Sequence, residues 1–144
     1  MNKSKIVDIP SKMEKYYGKG KMLHPSIEVV ENALQFIPQG KITTIDLVCK
    51  KLAQDFGTNV TCPMRTGNNL KKIALKYSDE TIDNNFPFWR VIRTDKMMIK
   101  FKNYEFWASK LEDEGFILSF TKSGNIKVVF QSDNLFDFRL PNCH

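Results

Sequence analysis

Apolar residues recur at helical spacing in four stretches of the chain and alternate along a fifth. In the first, Ile27, Val30, Ala33, Leu34 and Ile37 fall on one helix face. Pro25-Ser26 opens that helix. Pro38-Gln39-Gly40 ends it, because proline cannot continue a helix and glycine turns freely. Thr43 or Thr44 is placed to cap the next helix. Its apolar face is Leu47, Val48, Leu52, Ala53 and Phe56, and Gly57 closes it. A short polar turn follows. A third helix is predicted over 66–77, with Leu70, Ile73, Ala74 and Tyr77 inward and Asn68, Asn69, Lys71, Lys72 and Lys76 outward. Two helices, a tight turn and a basic third helix make a helix-turn-helix pattern. A fourth helix is predicted over 104–114, with Trp107, Ala108 and Leu111 as its stripe and Gly115 as its stop.

The remaining segments read differently. Residues 1–24 show little periodicity and are expected to form a basic, flexible or loosely docked arm with one helical turn near Lys12 to Tyr16. Residues 78–86 read as a polar loop, and 87–93 as an extended, partly buried segment. Residues 93–101 can turn back at Thr94-Asp95 as a small hairpin, the wing of a winged helix. The tail FILSFTKSGNIKVVFQ alternates at period two on both sides of Lys122-Ser123-Gly124-Asn125. That is a hairpin signal, with Gly124 and Asn125 expected to supply positive φ.

Composition narrows the class. The chain has 144 residues, the size of one ordinary domain, and is 42% hydrophobic, enough for a packed core. No apolar run approaches the ~20 residues of a membrane span, and the lysine-rich start has no apolar stretch behind it as a secretory signal would. Cys49, Cys62 and Cys143 make no CxxC or zinc-site spacing, and Cys143-His144 is too isolated for a metal site. No cofactor or metal is expected, and the odd cysteine count suits a reducing cytoplasm. The net charge of +6 is unevenly spread. Residues 1–24 carry six lysines against Asp8 and Glu14, and residues 60–77 carry Arg65, Lys71, Lys72 and Lys76 with no acid. Residues 104–115 are net acidic. A basic side and an acidic side suit a DNA binder.

Three segments, in order, carry a resemblance: IPQGKITT (37–44), PFWRVIR (87–93) and EDEGF (112–116). Together they resemble the DNA-binding domain of the O6-alkylguanine-DNA alkyltransferases, over roughly residues 25–116. That family carries a Pro-Cys-His-Arg box whose cysteine accepts an alkyl group, with a histidine and a glutamate completing a proton relay. Pro87 and Arg90 match. Phe88 stands at the cysteine position and Trp89 at the histidine position, while Glu114 matches the glutamate. Neither ring can accept an alkyl group, so the resemblance implies no enzyme and a structural role for Glu114. The chain is similar to the alkyltransferase-like proteins, which lack the acceptor cysteine. It looks closer still to a branch with Cys-Pro-Met-x-Thr-Gly and Pro-Tyr/Phe-Trp-Arg motifs, matched by 62–67 and 87–90. The family tyrosine that presses a nucleotide out of the duplex is Ile45 here. If Gly67 aligns with the motif glycine, the position of the intercalating arginine is Met64, and Arg65 follows one residue late. Arg65 is therefore either that finger or an ordinary phosphate contact.

The resemblance implies an α/β fold, a winged helix-turn-helix domain of the alkyltransferase C-terminal type with an added C-terminal β-hairpin. The expected organisation is a basic arm (1–24), the DNA-binding domain (25–116) and a hairpin extension (117–144). The expected function is non-catalytic binding of double-stranded DNA by a monomer, with alkylated guanine flipped into an aromatic pocket and a repair protein as further partner. The expected DNA contacts are Arg65, Thr66, Asn68, Asn69, Lys71, Lys72, Thr43 and Thr44. The base pocket is expected from Phe88, Trp89 and Arg90, although large aromatics are as often simply core. Arg90 is also expected to tie loops together through its fork of donors. Two alternatives stand beside this: a protein-interaction module that keeps the fold without recognising DNA damage, and an alkyl acceptor that uses Cys62.

Overall fold

The computed structural model of the chain describes residues 4–77, 86–99 and 104–138. Its first half runs β1 (Lys5–Asp8), α1 (Glu14–Tyr17), β2 (Lys21–His24), α2 (Ile27–Leu34), β3 (Thr43–Thr44), α3 (Ile45–Phe56), β4 (Val60–Thr61) and α4 (Pro63–Lys76). The second half runs β5 (Val91–Ile92), α5 (Tyr104–Asp113), β6 (Ile117–Phe120) and β7 (Ile126–Val129). The strands make three small sheets, ordered β1-β2-β4, β3-β5 and β6-β7.

The N-terminal segment corrects the expectation of a flexible arm. β1 and β2 pair antiparallel, and β2 continues in parallel with β4, just ahead of α4. The expected helical turn is present between the strands, as a 3-10 turn over Ser11–Met13 running into α1. Met22 and Leu23 are both buried, one on each face of the central strand. Ile9, Met22 and Cys62 form a small apolar cluster beneath the hairpin.

The four long helices begin and end for local reasons. Ser26 caps α2 by accepting a hydrogen bond from the Val29 amide (3.3 Å). α2 stops at Leu34, earlier than the apolar pattern suggests, but three tighter i→i−3 hydrogen bonds carry the chain on so that Ile37 is still buried. Thr44 sits at the N-cap of α3 without capping it, because its hydroxyl bonds the Asp46 carboxylate. Gly57 ends α3 at φ 67°, a left-handed conformation that glycine adopts without strain. Phe56, expected on the apolar face, is exposed at that helix end. α4 starts at Pro63, three positions ahead of the predicted start, since a proline at N1 has no amide hydrogen to lose.

One core joins these pieces. Val30 and Leu34 of α2, Val48 and Leu52 of α3, Leu70 and Ile73 of α4, Trp107 and Leu111 of α5, and Ile126 and Val128 of β7 all belong to it. Glu31 on α2 accepts from both Lys76 (2.9 Å) and the Tyr77 hydroxyl (2.6 Å), tying α2 to the end of α4. Burial pushes the Glu31 carboxyl up, but the Tyr77 and Lys76 hydrogen bonds outweigh it and hold it below the usual glutamate range.

Residues 87–93, expected to be extended, begin as a 3-10 turn (Phe88–Arg90) and become β5 only at Val91. β5 pairs in parallel with β3, which sets this segment beside the start of α3. The chain then turns at Thr94-Asp95, where Arg93 donates to the Met97 carbonyl (2.9 Å). Lys96 takes φ 70° there. Met98 bridges back to Ile92, and Met97 to Lys127 of β7. The far end of the expected 93–101 hairpin, the 78–85 part of the expected polar loop and the Cys143-His144 pair lie outside the described residues. β6 and β7 pair antiparallel, and the positive φ of their turn is at Gly124 (84°) and not at Asn125.

Candidate nucleic-acid interface

α4 presents a mixed face. Arg65, Asn68, Lys71 and Lys72 are exposed, and no acid lies on this helix. The other expected DNA contacts are turned inward. Thr66 is fully buried, and its hydroxyl donates to the Cys62 carbonyl (2.9 Å). Asn69 is buried, and its amide donates to the Pro25 carbonyl (2.9 Å). Thr43 is buried and donates to the Phe136 carbonyl (2.8 Å). Thr44 is buried against Asp46. These four residues are buried and bond within the domain, in contrast to the open contacts expected of them. Met64, the finger position expected if Gly67 aligns with the motif glycine, is 74% exposed beside the exposed Arg65. Ile45, at the family tyrosine position, lines a mostly apolar hollow of about 320 Å3 with Pro63 and Thr94.

The outward row of α4 faces a second element. Arg65, Asn68 and Lys72 line a cleft of about 580 Å3 whose opposite wall includes Lys5 and His24. These two residues were missed in the sequence. The only signal there was the net positive charge of the first 24 residues, since the cross-strand pairing of Lys5 with His24 leaves no mark in composition. Burial lowers the His24 imidazole pKa from its ordinary value, and the nearby Arg65 and Lys5 charges lower it further.

The PFWR segment is built into the core. Phe88 and Trp89 are buried, and Phe88 meets Trp107 edge-on with centroids 4.8 Å apart. Tyr77 stacks on Phe86 at 4.4 Å and leans toward Phe88. Trp89 Nε1 donates to Glu114 Oε2 (2.6 Å). Arg90 Nε donates to both Glu114 oxygens (3.0 Å each), and its Nη1 reaches the Ile37 carbonyl (2.7 Å). The Gly40 amide donates to Glu114 Oε1 (3.0 Å). Glu114 thus gathers three donors from the IPQG turn and the PFWR box, the structural role expected of it. Arg90 ties loops and is not an open ligand contact. Both rings of the expected base pocket are packed against protein, with the Lys110 and Arg90 cations over the Trp89 ring at 5.7 Å.

The two described thiols are sheltered. Cys62 is buried beneath the N-terminal hairpin against Ile9 and Met22. Cys49 is also buried, and burial pushes its thiol up to about 11. Among the described residues, no group of three or more His, Cys, Asp and Glu is placed to hold a metal ion. No helix among them is long and apolar enough to cross a membrane.

No protein-family model and no curated protein sequence matches the chain. Its fold does match solved structures. One is S. pombe Atl1, an alkyltransferase-like protein, in complex with damaged DNA containing O6-carboxymethylguanine. It is 20% identical with a TM-score of 0.55, over 76% of this chain and 93% of that one. A second structure, S. pombe ATL in complex with DNA, matches with the same identity, coverage and TM-score. The chain therefore has the fold of the alkyltransferase-like proteins, as the IPQG, PFWR and EDEGF segments led one to expect.

Proposed function

We propose that the chain binds duplex DNA without catalysis, in the manner of an alkyltransferase-like protein. The observation that carries this is the exposed, acid-free row Arg65, Asn68, Lys71 and Lys72 on α4, in a fold shared with a protein solved on damaged DNA. In this reading α3 and α4 act as a helix-turn-helix, and the turn at Thr94-Asp95 acts as its wing. Arg65 and the lysines hold phosphates, and Arg65 with Met64 stands where an intercalating side chain would enter the stack. Phe88 and Trp89 supply neither a thiol nor a base where the alkyltransferases carry them. Glu114 is committed to Trp89, Arg90 and Gly40. Cys62 as alkyl acceptor is disfavoured by its burial.

Recognition of alkylated guanine is the finer part of the proposal. The aromatic cluster of Tyr77, Phe86, Phe88, Trp89 and Trp107 favours it. A flipped base can stack there only if the segment around Phe88 opens, and stacking contributes about 1–3 kcal/mol per base toward that opening. Anisotropy titrations of matched duplexes, with O6-methylguanine or guanine at one position and at two salt concentrations, test both parts. Tighter binding to the lesion, together with a change in tryptophan emission lost in Trp89→Phe, is the expected result for a damage sensor. Equal, salt-sensitive binding removes lesion recognition and keeps DNA binding. No binding at low salt overturns the proposal in favour of a protein-interaction module.

A further inference from the structure

The polar row of α4 and the N-terminal hairpin face each other across one cleft. Arg65, Asn68, Asn69 and Lys72 are spaced i, i+3, i+4 and i+7, so they form one helix stripe. Asn69 is pinned to the Pro25 carbonyl and fixes the floor of the cleft. Across from this stripe, Lys5 and Val7 lie on the same side of β1, two residues apart, and His24 is the direct cross-strand partner of Lys5. The lining thus has three fixed cations, Lys5, Arg65 and Lys72, one imidazole, the neutral Asn68 amide and no acidic residue. Cations gathered in a concave site repel one another and focus a positive field into it, so an anion entering the cleft relieves repulsion and gains field. Both walls are already anchored: the hairpin pairs with β4, which leads directly into α4.

We propose that this cleft is a phosphate-binding subsite of the DNA interface, in which Lys5 and His24 of the hairpin and Arg65 and Lys72 of α4 hold the DNA backbone from two sides. The inference rests on the reading of α4 as a DNA-contacting helix and adds the hairpin to that interface. The hairpin is then a second half of the binding surface and not an ornament on the fold. Because Arg65 and Lys5 bear on the His24 ring, a phosphate seated between them offsets their charge and makes the ring easier to protonate.

The test has two arms, both on the full chain. In the first, anisotropy with a guanine duplex compares the wild type with Lys5→Gln, His24→Gln, Lys5→Arg and Lys71→Gln. Lys5→Gln is expected to weaken binding about tenfold, the usual loss for a charged hydrogen bond, while Lys5→Arg binds nearly as the wild type. Lys71, on α4 but outside the cleft lining, reports on the helix alone. If Lys71→Gln weakens binding while Lys5→Gln and His24→Gln do not, the cleft proposal is overturned and the reading of α4 stands. If the wild type fails to bind at low salt, both fall. The second arm needs no variant. The chain has only two histidines, so the His24 imidazole can be followed by NMR across pH with and without duplex. Its pKa is expected to rise on binding. A ring whose titration is unmoved by saturating duplex overturns the subsite even if the variants prove too unstable to use.

Discussion

Glu114 lies at the joint between two segments that the sequence places far apart. Its carboxylate accepts from Gly40, Trp89 and Arg90, and the Arg90–Glu114 pair is nearly shut off from water, with side chains 13% and 6% exposed. A buried ion pair is a weak source of net stability, but removing one partner strands the other charge. Glu114→Ala is therefore expected to destabilise the domain by about 3–5 kcal/mol, read as a lower midpoint in urea unfolding. The exposed Lys21–Asp8 pair sets the contrast, and Asp8→Ala should cost less than about 1 kcal/mol. A Glu114→Ala midpoint near that of Asp8→Ala would mean that Arg90 finds water, and that the joint is not closed in solution. No periodicity marks Glu114, because its partners are 24, 25 and 74 residues away. It was legible only through the alkyltransferase resemblance. Thr43, Thr44, Thr66 and Asn69 were misread for a related reason. A short polar side chain near a helix start suits a ligand contact and an internal bond equally, and only the tertiary partner decides.

At the level of elements, α4 has a feature that stability alone does not explain. Gly67 lies inside a 14-residue helix without positive φ, and a Cβ built on it meets nothing within 4 Å. Glycine inside a helix costs about 0.5–1 kcal/mol relative to alanine. Gly67→Ala is expected to raise stability by about that amount in urea unfolding. If the open space beside Gly67 is where a DNA strand approaches the backbone between Arg65 and Asn68, the same substitution weakens duplex binding. A variant that is more stable and binds DNA unchanged would place the strand elsewhere on the helix. The four long helices were legible because each buries one face, so apolar residues at three- and four-residue spacing survive in the sequence. The β1–β2 hairpin was not. β2 is the central strand of its sheet and is covered on both faces, so Met22 and Leu23 are buried in succession and the alternation of a half-exposed strand never appears.

At the scale of the molecule, charge is uneven among the described residues. Lys5 of the hairpin and Arg65 and Lys72 of α4 meet at the cleft, whereas α5 carries Glu105, Glu112 and Asp113 on its exposed side. A surface of one sign draws a polyanion by releasing the counter-ions condensed on it, and each phosphate neutralised on duplex DNA adds about 0.9 to the dependence of log K on log salt. The contact set Lys5, Arg65, Lys71 and Lys72 bounds that slope. One phosphate per cation gives about −3.6, and one phosphate shared across the cleft plus one at Lys71 gives about −1.8. Titration of an unmodified duplex over several salt concentrations is expected to fall between these limits, and the value counts the phosphates held. The double variant Lys71→Gln, Lys72→Gln leaves Lys5 and Arg65, so it should bring the slope to between about −1.8 and −0.9, and it should leave the unfolding midpoint almost unchanged, because both side chains are exposed. A wild-type slope already near zero would mean that the basic side meets no DNA backbone. The basic cleft would then serve another partner, and the likeness to the DNA-bound S. pombe protein would stop at the fold.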